Sequence, residues 1–202
     1  MKHFPTLGRT ASVLLLMILA AAAGCSRADQ FQGNLLEEPK EPQLTGTNWN
    51  GEPFQLSQLE GKVSVVFFGY TSCPDICPYT LVDMKKLKGQ LGAEAKDVEV
   101  VFVSVDPHRD TVEKLANYVP RFDDSFYGIR LDNRQLEEAR ESFDLVVQYG
   151  QPKDGPGTDS FYYVDHTSSF FLIGKDGMLR VVLPPNAGIE MLKTDIRQLL
   201  NG

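Results

Sequence analysis

The chain has 202 residues, 42% of them apolar, with 17 Gly and 12 Pro. That is enough for one domain with its own core. Twenty-seven acidic residues against twenty basic ones leave a formal charge of −7, which argues against nucleic acid and against adsorption to anionic lipid and leaves small molecules, metals or a basic protein as partners.

Residues 1–24 read as a signal peptide. Lys2, His3 and Arg9 precede a mostly apolar run over 11–24 that is too short to span a bilayer. The run ends AAAGC, which resembles the lipobox of bacterial lipoproteins and makes Cys25 the lipidation site. Leu is commoner where Ala22 stands, so cleavage by the ordinary signal peptidase is the alternative. Without Lys2 and Arg9 the charge is about −9. Outside the cytoplasm an unprotected dithiol tends to oxidise.

The segment SRADQFQGNLLEEPKEP is polar, carries Pro39 and Pro42 and shows no periodicity. It predicts a flexible tether over 25–42, with the folded domain over 43–202. Turn signals at Asn50-Gly51 and Glu60-Gly61, among Leu44, Trp49, Phe54, Leu56 and Leu59, predict a small hairpin and a short helical turn with Trp49 in the core.

KVSVVFF, residues 62–68, is a buried strand by composition. It runs into FFGYTSCPDICPYT, which holds Cys73 and Cys77, the only cysteines besides Cys25. Their spacing is CxxxC, where a thioredoxin-type redox motif has CxxC. Four apart on a helix, both thiols face one side. Pro78 lacks the N–H that would bond back to residue 74, so a regular helix is expected from near Pro78, after a tight or irregular CPDIC turn. Leu81, Met84, Leu87 and Leu91 give it an apolar face, and Gly92 is its stop. Sulfurs at a helix N-terminus sit in a field that favours thiolate, the form that binds metal. A structural disulfide competes with this reading, but closing so short a loop adds little to a domain of this size.

Further along, VEVVFVSV (98–105) predicts a second buried strand, and the polar cluster DPHRDT caps a helix over TVEKLANYV. A short strand over 126–131, a helix over 133–143 and a strand over 145–149 follow. Residues 151–160 form a Gly/Pro-rich loop; with Gly150 they are expected to sample several conformations and to order around bound metal. Strand character resumes over 161–164, then SSFFLI, a Lys175-Asp176-Gly177 turn and 178–183 make a closing hairpin before a final amphipathic helix. Strands alternating with helices imply an α/β domain with a mixed central sheet flanked by helices, extended by an N-terminal hairpin.

Of the three histidines, His3 belongs to the signal and His108 to a Pro- and Asp-rich turn. His166 stands next to Asp165 at the entry to the last hairpin, 89 positions beyond Cys77. A lone histidine is more often structural, but two free cysteines in need of a third donor raise its standing.

FFGYTSCPDICP, VSVDPHRDT and VDHTSSFFLIGKDG together resemble the Sco/SenC family of copper proteins for cytochrome oxidase assembly, from about Thr45 onward. The resemblance implies a thioredoxin-like fold with Cys73, Cys77 and His166 as ligands of Cu(I) and Cu(II). Soft Cu(I) prefers thiolate and Cu(II) accepts imidazole, so two sulfurs and one nitrogen suit both states. Asp75 and Asp165 are expected to support the ligands, Asp165 by orienting the His166 ring. Asp106, Arg109 and Asp110 should fix the loop after the second strand, while Phe67, Phe68 and Phe170 wall the site. The function so implied is that of an extracytoplasmic, lipid-anchored copper metallochaperone on the periplasmic side of a bacterial membrane, with no enzymatic activity. Its partners would be the copper-bearing subunit of cytochrome c oxidase and periplasmic copper carriers or thiol reductants. The alternative is a thiol-disulfide oxidoreductase or redox sensor using Cys73 and Cys77. A peroxidase of the peroxiredoxin type would need an isolated activated cysteine, against which the pair argues.

Overall fold

The computed structural model describes residues 31–74, 76–151 and 162–202. The signal, Cys25, Asp75 and all but the first residue of the 151–160 loop therefore lie outside the described residues. In chain order, β1 (Asn34–Lys40) precedes the hairpin of β2 (Thr45–Asn48) and β3 (Pro53–Gln55), and a 3-10 turn covers Leu56–Leu59. β4 (Val63–Gly69) leads through the cysteine loop to α1 (Ile76–Leu91), and β5 (Val98–Ser104) to the short α2 (Val112–Ala116). Then come β6 (Tyr127–Arg130), α3 (Asn133–Phe143), β7 (Val147–Tyr149), β8 (Val164–His166), β9 (Phe170–Ile173), β10 (Leu179–Leu183) and α4 (Ile189–Asn201).

Eight strands form one mixed sheet in the order β1-β10-β9-β4-β5-β6-β2-β3, and β7 pairs with β8 in a separate ribbon. β4 is central, parallel to β5 and antiparallel to β9. All seven of its residues are buried, as expected for a strand covered on both faces. Val63, Val65 and Phe67 face one layer, where Leu81, Met84 and Leu87 of α1 meet Leu115 of α2 and Leu192 and Ile196 of α4. Val66 and Phe68 face the other, against Leu136, Ala139 and Phe143 of α3 and the Phe54 hairpin. Each such side chain, taken from water, contributes about 1.5–3 kcal/mol. This is the mixed sheet with flanking helices and an N-terminal hairpin that the sequence implies.

Two expectations are corrected. The stretch taken as a tether is docked from its middle onward: β1 pairs antiparallel with β10 at the sheet edge. The Asp195 carboxylate of α4 accepts from the Gln32 N–H at 2.7 Å and the Gly33 N–H at 2.8 Å. An edge strand held by backbone pairing needs no apolar periodicity, and the residues of β1 are mostly exposed, which is why composition pointed to a linker. Second, α1 starts at Ile76, two residues before Pro78. The first four N–H groups of a helix have no acceptor within it, so the proline's missing donor costs nothing there. At its other end Gly92, at φ +58°, ends the helix in the left-handed conformation. Among the described residues no helix is long and apolar enough to cross a membrane.

Candidate metal centre

The cysteine loop lies where β4 and β5 end. A Cβ on Gly69 would fall 2.6 Å from Phe102 Cε2 and 2.8 Å from Cys77 Sγ, so the absence of a side chain lets Cys77 pack directly on the end of β4. The Cys73 N–H donates to the Tyr70 carbonyl at 3.2 Å, turning the chain toward α1. Both cysteines are reduced; Cys77 is buried and Cys73 half-buried. They hydrogen-bond to each other, and this contact, followed by burial, pushes the Cys77 thiol far above the ordinary range. The hydrogen bond from the neighbouring sulfur, and then burial, therefore favour the protonated form of Cys77 over the thiolate that a helix N-terminus favours.

His166 ends β8 and is half-buried. Its Nδ1 lies 3.0 Å from the Thr167 carbonyl; donating there, it leaves Nε2 with the free lone pair. The ring stands edge-on to Tyr70, centroids 6.0 Å apart. His166 and Cys77 line one crevice with Phe67, Phe68, Ile76 and Thr80, and its free volume is about 10 Å³, roughly one water-sized sphere. Cys73 and Cys77 are therefore in contact, and His166 shares a crevice with Cys77. Among the described residues, however, no three His, Cys, Asp or Glu side chains are gathered closely enough to hold a metal ion. Closing the set requires His166 and the dithiol to approach. The donor types themselves, two sulfurs and an imidazole nitrogen, suit copper of either oxidation state.

Asp165 is exposed, and among the described residues the ring's hydrogen-bond partner is the Thr167 carbonyl, not the Asp165 carboxylate. Phe170 does not line the crevice: it is buried behind Phe67, ring centroids 6.0 Å apart. His108 is exposed and sits edge-on to Tyr149 at 6.0 Å.

The DPHRDT turn after β5 reaches both halves of the site. Asp110, fully buried, accepts from the Thr71 N–H at 2.9 Å, the Thr71 hydroxyl at 2.5 Å and the Ser104 hydroxyl at 2.5 Å. Burial nonetheless holds its carboxyl above the usual range. Asp106 accepts from Arg109 Nε at 2.5 Å and from the Tyr162 hydroxyl at 2.7 Å. Arg109 Nη1 donates to the Tyr162 carbonyl at 2.9 Å, and its Cζ lies 3.5 Å from the centre of the Tyr162 ring and 5.5 Å from that of Tyr70. Sequence reasoning took Asp106, Arg109 and Asp110 as loop-fixing residues and missed the partners Tyr70, Thr71, Ser104 and Tyr162. Tyr70 and Thr71 flank the cysteines and Tyr162 precedes the Asp165-His166 pair, so an aromatic or hydroxyl beside each motif was the available signal.

The SCO1/SenC family model matches residues 34–201. A Stutzerimonas stutzeri relative, provisionally named a copper-binding protein, is 32% identical over 98% of both chains. A Rickettsia typhi SCO2-like protein is 35% identical over 63% of this chain, which spans 62% of that protein's length. Among solved structures, apo Sco1 from Thermus thermophilus is 35% identical, with a TM-score of 0.74 over 84% of this chain and 96% of its own. Bradyrhizobium japonicum ScoI, solved with copper bound, is 29% identical, with a TM-score of 0.69 over 79% and 99%. BsSco, described as a member of the Sco family of cytochrome c oxidase assembly proteins, is 25% identical, with a TM-score of 0.63 over 82% and 98%. The chain belongs to the SCO1/SenC family.

Proposed function

We propose that this protein is a copper carrier that holds Cu(I) or Cu(II) through Cys73, Cys77 and His166 and passes it to the dinuclear copper centre of cytochrome c oxidase. The observation that carries the reading is the reduced, hydrogen-bonded Cys73–Cys77 pair at the end of β4, with His166 on the wall of the same crevice. Copper is the cargo, and thiolate sulfur is the donor that retains its soft, reduced form. Cys77 Sγ releases its proton as it becomes a ligand, and the Thr167 carbonyl engages Nδ1 so that Nε2 keeps its lone pair as the third donor.

Transfer requires a surface that another protein can approach. Among the described residues the exposed large apolar side chains are Ile76, Tyr79, Val82, Val146, Tyr149 and Tyr163. All six belong to α1 or to the β7–β8 ribbon and the residues that adjoin it, the elements that carry Cys77 and His166. Ile76 also lines the crevice, and exposed apolar side chains of this kind are a mark of protein contact. On this reading the mature chain works on the periplasmic side of the membrane, anchored by lipid at Cys25.

Copper titration of the reduced protein tests the reading. One copper per chain should bind with a sulfur-to-copper charge-transfer band in the Cu(II) form, and Cys73→Ser, Cys77→Ser or oxidation to the disulfide should abolish tight binding. Full-affinity uptake by any of those three would sink the assignment. A second reading, thiol-disulfide exchange with a partner, draws on one feature: Cys73 is half-exposed while Cys77 is buried behind it, as an attacking and a resolving thiol would be. Reduction of a model disulfide that survives His166→Ala while copper delivery fails would show both activities in one pair of thiols.

A further inference from the structure

We propose that Arg109 is a positioning residue for His166, fixing the strand that carries the imidazole against the cysteine loop. The proposal rests on the copper reading above.

The turn after β5 carries two neighbouring residues with separate duties. Asp110 holds the cysteine side through the Thr71 N–H and hydroxyl. Arg109 holds the histidine side. Its Nη1 takes the carbonyl of Tyr162, four residues before His166, and its guanidinium covers the Tyr162 ring. Asp106 closes this contact by accepting from both Arg109 Nε and the Tyr162 hydroxyl. The same guanidinium lies 5.5 Å from the Tyr70 ring, whose hydroxyl takes the Val164 N–H at 3.5 Å and whose edge meets His166. Arg109 therefore stands between the aromatic ring that precedes the dithiol and the one that precedes the histidine.

The arrangement needs arginine. A planar fork donates to Asp106 and to the Tyr162 carbonyl while its face stacks on the ring; a lysine ammonium is a point charge and cannot do all three. Arg109 is 6% exposed and cannot be replaced by water from the surface. Since the described structure leaves His166 and the two sulfurs short of a closed ligand set, the placement of β8 decides how readily the imidazole reaches a metal held by the thiols. Cu(II), which depends on that nitrogen, should feel the loss of Arg109; Cu(I), which two thiolates hold alone, should not.

The test is a double-mutant cycle between Arg109→Lys and His166→Ala. Arg109→Lys should weaken Cu(II) binding at least tenfold, remove the imidazole nitrogen coupling from the Cu(II) resonance spectrum, and leave Cu(I) affinity within about threefold. In the His166→Ala background it should cost Cu(II) nothing further, although the loss of thermal stability, which a purely structural role would also give, should be the same in both backgrounds. In the metal-free protein, amide exchange over 162–167 should quicken while that over 70–74 does not. An equal Cu(II) loss with and without His166, or a retained nitrogen coupling in Arg109→Lys, would overturn the proposal. If Arg109→Lys does not fold, Tyr162→Phe removes only the hydroxyl bond to Asp106 and should give the same selective loss at about threefold; no loss there counts against the proposal. His166→Ala that binds Cu(II) at full strength would instead refute the ligand set, a separate failure.

Discussion

Gly69→Ala should damage both the fold and the metal site, because it places a methyl group where two buried atoms already meet. The new Cβ would lie 2.6 Å from Phe102 Cε2 and 2.8 Å from Cys77 Sγ. Each neighbour must therefore give by several tenths of an ångström to reach ordinary contact. Both are buried, Phe102 0% and Cys77 3% exposed, and the free space beside Cys77 is the narrow crevice that it lines. Overpacking of this kind costs about 1–3 kcal/mol. The reduced freedom of the unfolded alanine chain offsets about 0.4–1 kcal/mol of it. The net loss, centred on about 1 kcal/mol and at most about 2.6 kcal/mol, lowers the thermal midpoint of a domain of this length by roughly 2–4 °C, and by about 10 °C at most. Cys77 Sγ is the smaller obstacle and should move, drawing the sulfurs out of register, so Cu(I) affinity should fall about tenfold. Gly89→Ala is the control: it lies on α1 with nothing within 4 Å of the added carbon, and it should stabilise by up to about 1 kcal/mol. Thermal unfolding of the reduced proteins and competition titration with a Cu(I) chelator read both effects. If Gly69→Ala melts and binds like the parent, Cys77 does not pack on the end of β4 as described.

Asp195→Ala should cost about 1.5–3 kcal/mol by stranding the Gln32 and Gly33 N–H groups, with faster amide exchange over 32–40; unchanged exchange there would mean that β1 is held without α4. Burial raises the Asp195 carboxyl above its ordinary 3.8, so the folded state binds more protons than the unfolded one and this residue's contribution falls as pH rises from about 4 through the raised value. The stability difference between the parent and Asp195→Asn, from urea midpoints, should therefore shrink with rising pH over that window; a difference that grows would reverse the sign and reject the assignment. His166→Ala should weaken Cu(II) binding far more than Cu(I), measured by parallel competition titrations, and equal losses would exclude the imidazole as a selective donor.

Much of the fold was legible because its strongest signals are local. Continuous apolar runs mark β4 and β5, helical spacing marks α1 and α4, and the dithiol sits between strand and helix where a site at a sheet end is built. What the sequence concealed depends on contacts far apart in the chain. β1 is polar, and its place is set by a ladder to β10 and by a carboxylate 163 positions away. The Arg109–Tyr162 contact joins residues 53 apart, and no periodicity encodes it. The environment of Cys77 was hidden for a related reason: a helix terminus is visible in a sequence, whereas the Cys73 contact and the burial that raise its thiol are not. The partner of the His166 ring is a backbone carbonyl, a group that every residue offers and that no motif can display.

The pairing of β1 with β10 also governs the order in which the molecule can come together. Asn34 lies opposite Val182, so the first described strand finds its partner only when the last has been made. β4, which leads into the cysteines, has β9 on one side, and before β9 exists it can pair only with β5. Contacts of such long range are slow to close and form late. Leu183 lies 106 positions beyond Cys77, which at about 5–20 residues per second means roughly 5–20 s of synthesis during which no complete sheet can shelter the thiols. For that interval Cys73 and Cys77 lack the cover that the finished sheet gives them. A chain truncated before β10 would leave its first described strand unpartnered and β9 open along one edge.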